Sequence, residues 1–328
     1  MNFTRCQHIS FDFSGKFLPP VYILVFIIGV AANGWGLKSL LHNWKKLGNV
    51  NIFVLNLGLA DFLYLLTLPF LVVYYLMKSK WIFGEVFCKI TRFCFNLNLY
   101  GSIGFLTCIS VYRYLAIVHP MRAMGRITVK LSVSISVFVW STVSVLSLPD
   151  MFYPKHPENK TLKCYDTTTD AHVEDYQQYS LGWTLIGFGI PLLVTLGCYG
   201  HVIVTLCRTN TIDKVLKQRS LMLLFILILL FSVCYIPYHV LKNLNLLARV
   251  LTKEGTCRGW FNGVYIARQI SRGLVSLNSA LNPLVYLNGH EDISAQLRRL
   301  FQRVRQMFSR VSSTNFSSVP VTQTTHDI

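Results

Sequence analysis

The chain has 328 residues, of which 52% are hydrophobic and only 14% charged, and its formal net charge is +17. An average soluble domain carries about 25% charged residues, so these charges are too few to cover a soluble surface, and neither one large soluble domain nor two ordinary ones fits. A nucleic-acid partner is excluded as well, because the basic residues divide between two faces and no soluble domain carries them.

The apolar residues arrive in blocks, and a bilayer takes about 20 predominantly apolar residues per helix. Seven blocks follow one another at approximately 19–43, 52–77, 87–118, 131–152, 179–206, 219–247 and 261–287. The predicted fold is therefore an all-α membrane protein, a bundle of seven transmembrane helices. Pro69, Pro191, Pro237 and Pro283 fall within blocks; bundle neighbours re-satisfy the backbone groups that such prolines free. The N-terminal segment lacks a charged-then-apolar signal layout, so the first block is expected to direct its own insertion. No internal repeat is evident. The expected organisation is an extracellular N-terminus at 1–18, the bundle at 19–287, an amphipathic cytoplasmic helix at 288–308 and a disordered tail at 309–328.

Placing the N-terminus outside puts Lys45, Lys46, Arg122, Arg126, Lys130, Arg208, Lys214, Lys217, Arg219 and the Arg298–Arg310 cluster in the cytoplasm, a small positive-inside excess. The sequons at Asn2 and Asn159 then lie outside as glycosylation sites, while the same pattern at Asn315 lies inside. Of nine cysteines, Cys6, Cys88, Cys164 and Cys257 are extracellular in this topology. An even set on the oxidising side predicts two disulfides, with three connectivities open.

Ionisable groups inside a span are costly and mark function. Asp61, Arg92, Lys242, Arg268 and Arg272 stand well inside the blocks, with Arg113 near the inner end of the third. The four cations lie in the outer parts of their spans, and their polar neighbours recur at helical spacing. Arg92, Asn96 and Tyr100 are four apart; His239, Lys242 and Asn245 are three apart; Tyr265, Gln269, Arg272 and Ser276 step by four, three and four. Each set makes one helix face, turned inward because lipid will not solvate it. The expectation is that no acidic residue of the same outer span regions neutralises these cations, although loop carboxylates such as Asp166, Glu174 or Asp175 could fold in. Positive charge in low dielectric is unfavourable unless water or an anion joins it, and the functional reading is an outward-facing anion site. Guanidinium forks suit phosphate or carboxylate, and Tyr265 and Tyr100 could hold a flat ring. Asp61, about halfway down the second span, needs a cation, a proton or several hydrogen bonds.

The residues also resemble the rhodopsin-like (class A) G-protein-coupled receptors over nearly the whole length. One signature stands in each span: Ala31-Ala32-Asn33, Leu57 to Asp61, Tyr112-Arg113-Tyr114 with His119-Pro120 following, Trp140, Pro191, Phe231 to Pro237, and Asn282-Pro283 with Tyr286. Within the class the chain is similar to the purinergic nucleotide receptors, most of all the adenosine-diphosphate-responsive type. The segments that carry this are Trp81 to Gly84, Leu99 to Ile103, Phe105 to Ser110, Cys164 to Thr168, Tyr235 to Val240 and Arg272 to Asn278.

The resemblance implies the pairs Cys88–Cys164 and Cys6–Cys257. It implies a nucleotide site lined by Arg92, Tyr100, His239, Lys242, Asn245, Gln269, Arg272 and Ser276, with Asp166 and Arg249 above it. It also implies a sodium ion held by Asp61, Ser102, Asn278 and Asn282, and a switch through Arg113, Tyr235, Pro237 and Tyr286. Its partners are an extracellular nucleotide agonist, a Gq-type G protein acting through phospholipase C, arrestin and receptor kinases, and the plasma-membrane bilayer; it implies no enzymatic cofactor. The chain departs from the family patterns at several positions: Asn96 stands where the type has His, Arg268 where it has Tyr, Asn282 where the subfamily often has Asp, Tyr112 where the class usually has Asp, and Ala32 where the class usually has Gly.

Glu291 to Phe308 pairs an apolar stripe of Ile293, Leu297, Leu300 and Phe301 with Arg298, Arg299, Arg303 and Arg305, the pattern of a helix lying in an anionic headgroup plane. It has no cysteine for palmitoylation. Two rival functions remain open at the sequence level: a receptor for another small anion, such as a dicarboxylate or an acidic lipid mediator, and a transporter. The second is disfavoured by the lack of repeats and of matched broken helices. No nucleophile–base pair or metal-ligand spacing suggests an enzyme.

Overall fold

The computed structural model describes residues 12–42, 49–120, 127–154, 164, 168–208, 221–222 and 225–284. The first span is α1 (Asp12–His42). The second is α2 (Val50–Leu65) continued by α3 (Leu68–Leu76). The third and fourth are α4 (Glu85–Val118) and α5 (Val129–Phe152). The fifth runs from α6 (Val173–Thr184) through a π-helical turn (Leu185–Gly189) into α7 (Ile190–Arg208). The sixth passes a second π-helical turn (Leu230–Tyr235) into α8 (Ile236–Lys253), and the seventh is α9 (Trp260–Leu281).

Burial is inverted relative to a soluble protein. Asp61, Ser102, Asn282 and Ser276 are fully buried, while Leu66, Phe138 and Leu193 are 65%, 69% and 70% exposed. Exposed apolar surface on that scale needs a non-aqueous covering. Among the described residues, six helices are long and apolar enough to cross a bilayer. The 22-residue α9 is not one of them, because Arg268, Gln269, Arg272 and Asn278 sit buried on its inner side. It packs between α1 and α8, and α4 runs through the middle against α2, α5 and α7.

The prolines act where helices change register. Pro69 occupies the first turn of α3, where its missing N–H removes nothing. Thr67 closes the break behind it, its hydroxyl donating to the Tyr64 carbonyl at 2.7 Å. Each π turn ends directly before a proline-bearing helix start, Ile190-Pro191 and Ile236-Pro237; one extra residue in the turn accommodates the proline without a broken ladder.

Helix ends differ from the apolar blocks. α1 begins at Asp12 rather than 19, the fifth span starts at Val173 rather than 179, and α8 continues to Lys253 rather than 247. Hydropathy marks the bilayer, whereas a helix continues as long as its neighbours pack: Val173 and Tyr176, ahead of the fifth apolar block, form a small core with Leu246 of α8. The expected helix at 288–308 and the tail at 309–328 lie outside the described residues.

Candidate functional site

The loop into α4 fixes one end of the bundle. Gly84 caps α4 at φ +82°, a left-handed conformation that favours glycine, and Trp81 Nε1 donates to its carbonyl at 2.7 Å. One turn on, Cys88 is disulfide-bonded to Cys164, the pairing that the resemblance implied. Cys257 is also disulfide-bonded. Cys6 lies outside the described residues, so that pairing rests on the resemblance.

Below this disulfide the three polar stripes meet, as inward-facing helix faces must. Arg92, Asn96 and Tyr100 come from α4; His239, Lys242 and Asn245 from α8; and Tyr265, Arg268, Gln269, Arg272 and Ser276 from α9, all of them buried. Arg272 Nη1 donates to Gln269 Oε1 at 3.3 Å and its guanidinium lies 5.9 Å from the Tyr75 ring centroid. Ser276 Oγ is 2.6 Å from Tyr64 OH and donates to the Arg272 carbonyl at 2.8 Å. The Lys242 ammonium sits over the Tyr176 ring at 5.8 Å, a cation–π distance. Tyr265 OH is 3.5 Å from Ser14 Oγ, which ties the first span to the seventh.

One expectation fails here. Asp150, at the end of the fourth span, is buried among these cations. Its Oδ2 pairs with Arg92 Nη2 at 2.5 Å and accepts from Asn96 Nδ2 at 3.3 Å, while Oδ1 accepts from Tyr176 OH at 2.7 Å. Arg92 Nη2 also donates to the Asp150 carbonyl. A carboxylate of an outer span region therefore does meet one of the cations. The sequence signal was available: Asp150 is acidic and lies within the last turn of the fourth apolar block, at the same end as Arg92. Next to Pro149 it reads as a span boundary rather than as part of a site.

Of the carboxylates expected to fold in, Glu174 takes another partner, and so does the neighbouring Asp170. Asp170 pairs with Arg249 at 2.5 Å and Glu174 with Lys253 at 2.7 Å, both at the exposed rim, and Arg249 also donates to the Thr168 carbonyl at 2.8 Å. Arg249 thus stands above the buried cluster. Asp166, the other residue expected there, lies outside the described residues, as do Asn2, Asn159 and Tyr286.

The aromatic floor includes residues that the stripes did not contain. Tyr100 stacks on Trp183 with centroids 4.0 Å apart, and His239 stacks on Phe188 at 4.4 Å. Thr184 Oγ1 is 3.4 Å from His239 Nδ1 and accepts from Asn243 Nδ2 at 2.9 Å. The fifth span thereby supplies a wall that its largely apolar sequence did not announce.

Asp61 forms a separate, deeper group. Its Oδ1 accepts from Asn98 Nδ2 and Asn282 Nδ2, each at 2.9 Å, and Oδ2 accepts from Asn282 at 3.0 Å. Ser279 Oγ donates to Asn98 Oδ1 at 3.1 Å, closing the network on α9. Ser102 and Asn278 are buried, but the amides that reach the carboxylate are Asn98 and Asn282. Among the described residues, no cluster of three or more His, Cys, Asp or Glu could hold a metal. At the opposite end Arg113 is half-buried, and Tyr235, fully buried, ends the π turn before Pro237.

A model of the 7 transmembrane receptor (rhodopsin family) matches residues 37–286. The chain is 40% identical to purinoceptor 1 of Gallus gallus over 317 residues, covering 96% of this chain and 86% of that protein. It is 40% identical to purinoceptor 1 of Homo sapiens over 316 residues, covering 96% and 84% respectively. With purinoceptor 4 of Xenopus laevis it shares 34% identity over 308 residues, 91% of this chain and 56% of that protein.

Proposed function

This chain belongs to the rhodopsin family of seven-transmembrane receptors and, within it, to the purinoceptors, and from that premise we propose that its buried cationic cluster receives the phosphate chain of an extracellular nucleotide. As a family member the protein is a multi-pass membrane receptor rather than an enzyme. The observation that carries the ligand reading is the gathering of Arg92, Lys242, Arg268 and Arg272, from three separate spans, into one buried region. Like charges collected in low dielectric are stabilised by an anion, and guanidinium groups bind phosphate bidentately. The Tyr100–Trp183 pair, together with Tyr265, offers aromatic surface for a base.

The disulfide end is the extracellular end, because a persistent disulfide belongs to the oxidising side. The same orientation puts Asn2 and Asn159 outside for glycosylation, and Arg113 with the basic loops in the cytoplasm. A ligand shifts a two-state equilibrium only by its differential affinity for the two states. Here the difference comes from drawing α4, α8 and α9 together around the phosphates. The π turn and Pro237 supply the hinge on which the inner part of the sixth span swings away from Arg113, with Tyr235 and Tyr286 as switch residues. The exposed inner face engages a heterotrimeric G protein of the Gq type, raising cytosolic calcium through phospholipase C, and receptor kinases and arrestin act on the tail. Asp61, with Ser102, Asn278 and Asn282, is the sodium site of the resting state.

Calcium release in cells expressing the full receptor, challenged with adenine and uridine di- and triphosphates, tests this reading. A dose-dependent response to at least one nucleotide is expected, with adenine favoured. A receptor that is present at the surface and silent to all four overturns it.

A further inference from the structure

Asp150 does not fit the role of a simple phosphate site. It brings a carboxylate into the region that collects Arg92, Lys242, Arg268 and Arg272, and its side chain is 8% exposed. Both oxygens are engaged: Oδ2 by Arg92 and Asn96, Oδ1 by Tyr176. Its charge is felt beyond that contact. Lys242 lies within electrostatic reach of Asp150, Arg268 and Arg92, and Tyr238 within reach of Arg272, Arg268 and Asp150. The carboxylate joins three spans, held by α4 through Arg92 and Asn96 and by α6 through Tyr176, while it is itself the last turn of α5.

We propose that Asp150 is a specificity-determining residue: a built-in anion that neutralises Arg92 and limits how much phosphate charge the cluster accepts. This rests on the nucleotide reading above. Specificity is a difference of affinities, and it is set as much by what repels the competitor as by what holds the ligand. A nucleoside triphosphate brings one more negative charge than its diphosphate. That charge must settle among cations whose field Asp150 already offsets, and it meets the carboxylate's repulsion across a poorly screened interior. The diphosphate avoids most of this penalty. A simple structural role for Asp150, bracing α5 against α4 and α6, would change the affinity for both ligands alike; a charge role changes their ratio.

The test is the stabilisation of the purified full-length receptor against heat by adenosine di- and triphosphate, read as an affinity ratio, in the wild type and in Asp150→Asn, Asp150→Ser and Asp150→Glu. The neutral variants are expected to shift the ratio toward triphosphate by about tenfold, the scale of one close charge interaction at an intermediate dielectric. Asp150→Glu is expected to keep the wild-type preference. A wild type stabilised by nucleotide, with a ratio unmoved in Asp150→Asn or Asp150→Ser, overturns this inference alone. A wild type that no nucleotide stabilises removes the nucleotide reading and this inference with it. If both neutral variants fail to fold while Asp150→Glu folds, the charge serves the bundle rather than the choice of ligand, and the inference is again overturned.

Discussion

Trp183 lies flat on Tyr100, ring centroids 4.0 Å apart and planes 25° from parallel, and Gly187 is the residue that leaves room for the pair. A Cβ at Gly187 would sit 2.5 Å from Trp183 Cε3 and Cζ3 and 2.9 Å from Tyr100 Cδ1. Neither ring can yield without leaving the stack, and Tyr100 is fully packed. Gly187→Ala is therefore expected to destabilise the receptor by about 1–3 kcal/mol, the usual range for overpacking, and to weaken nucleotide potency with it. Thermal unfolding of the purified receptor checks this. Gly182→Ala, where nothing lies within 4 Å of the added carbon, serves as the control and should unfold like wild type.

Lys242 and Arg272 stand on different helices and are each expected to contact the same phosphate chain. Lys242→Ala and Arg272→Ala should each lower nucleotide potency by about tenfold to a hundredfold, the scale of a hydrogen bond to a charged group. Because both would meet one phosphate chain, the double variant should fall short of the product of the two. Calcium concentration–response curves at matched surface levels measure this, and unshifted curves in both single variants would sink the phosphate contact.

Arg268 adds a cation where the resembled receptor type has Tyr. Arg268→Tyr is expected to reduce triphosphate potency more than diphosphate potency, by about tenfold in the ratio, which is the opposite direction from neutralising Asp150. Equal losses for both ligands would assign Arg268 to base or ribose contact, or to packing, instead.

Asp61 receives donors from Asn98 and Asn282, so its carboxylate is already oriented as an acceptor centre. Sodium is expected to lower agonist affinity in the wild type, and Asp61→Asn to abolish that dependence by removing the charge that would hold the ion. Radioligand competition across a sodium series reads it; a wild type indifferent to sodium leaves the carboxylate with a hydrogen-bonding role alone.

The spans were legible because lipid imposes a length and an apolar composition on every helix. The inward-facing polar stripes were legible because buried polar residues at spacings of three and four can only be one inward face. The ends were not, since α1, α6 and α8 continue past the apolar blocks on packing that hydropathy does not report. Asp150 escaped for a related reason: a carboxylate in the last turn of a span looks like the point where the chain meets water, and only the tertiary approach of Arg92 and Tyr176 reveals it as interior. Trp183 and Phe188 were hidden by their type, because an aromatic in an apolar block is as suited to lipid as to a site. Asn98 joins the expected Asn282 in donating to Asp61, and only the crossing of α2 and α4 decides which polar neighbour of α4 comes close enough.

The π turns also set the direction in which whole faces point. A turn with one residue more than its neighbours advances the helix by a step of about 100° without adding a turn's length. The polar face of α8, with His239, Lys242 and Asn245, is therefore indexed independently of the residues that precede Leu230, and the same holds for α7 relative to Trp183 in α6. A substitution that let Leu230–Tyr235 relax to ordinary helix would move side chains little along the axis and point Phe225–Leu229 at a different neighbour. In that span, the angular phase of a residue is as much a property of the turn above it as of the residue itself.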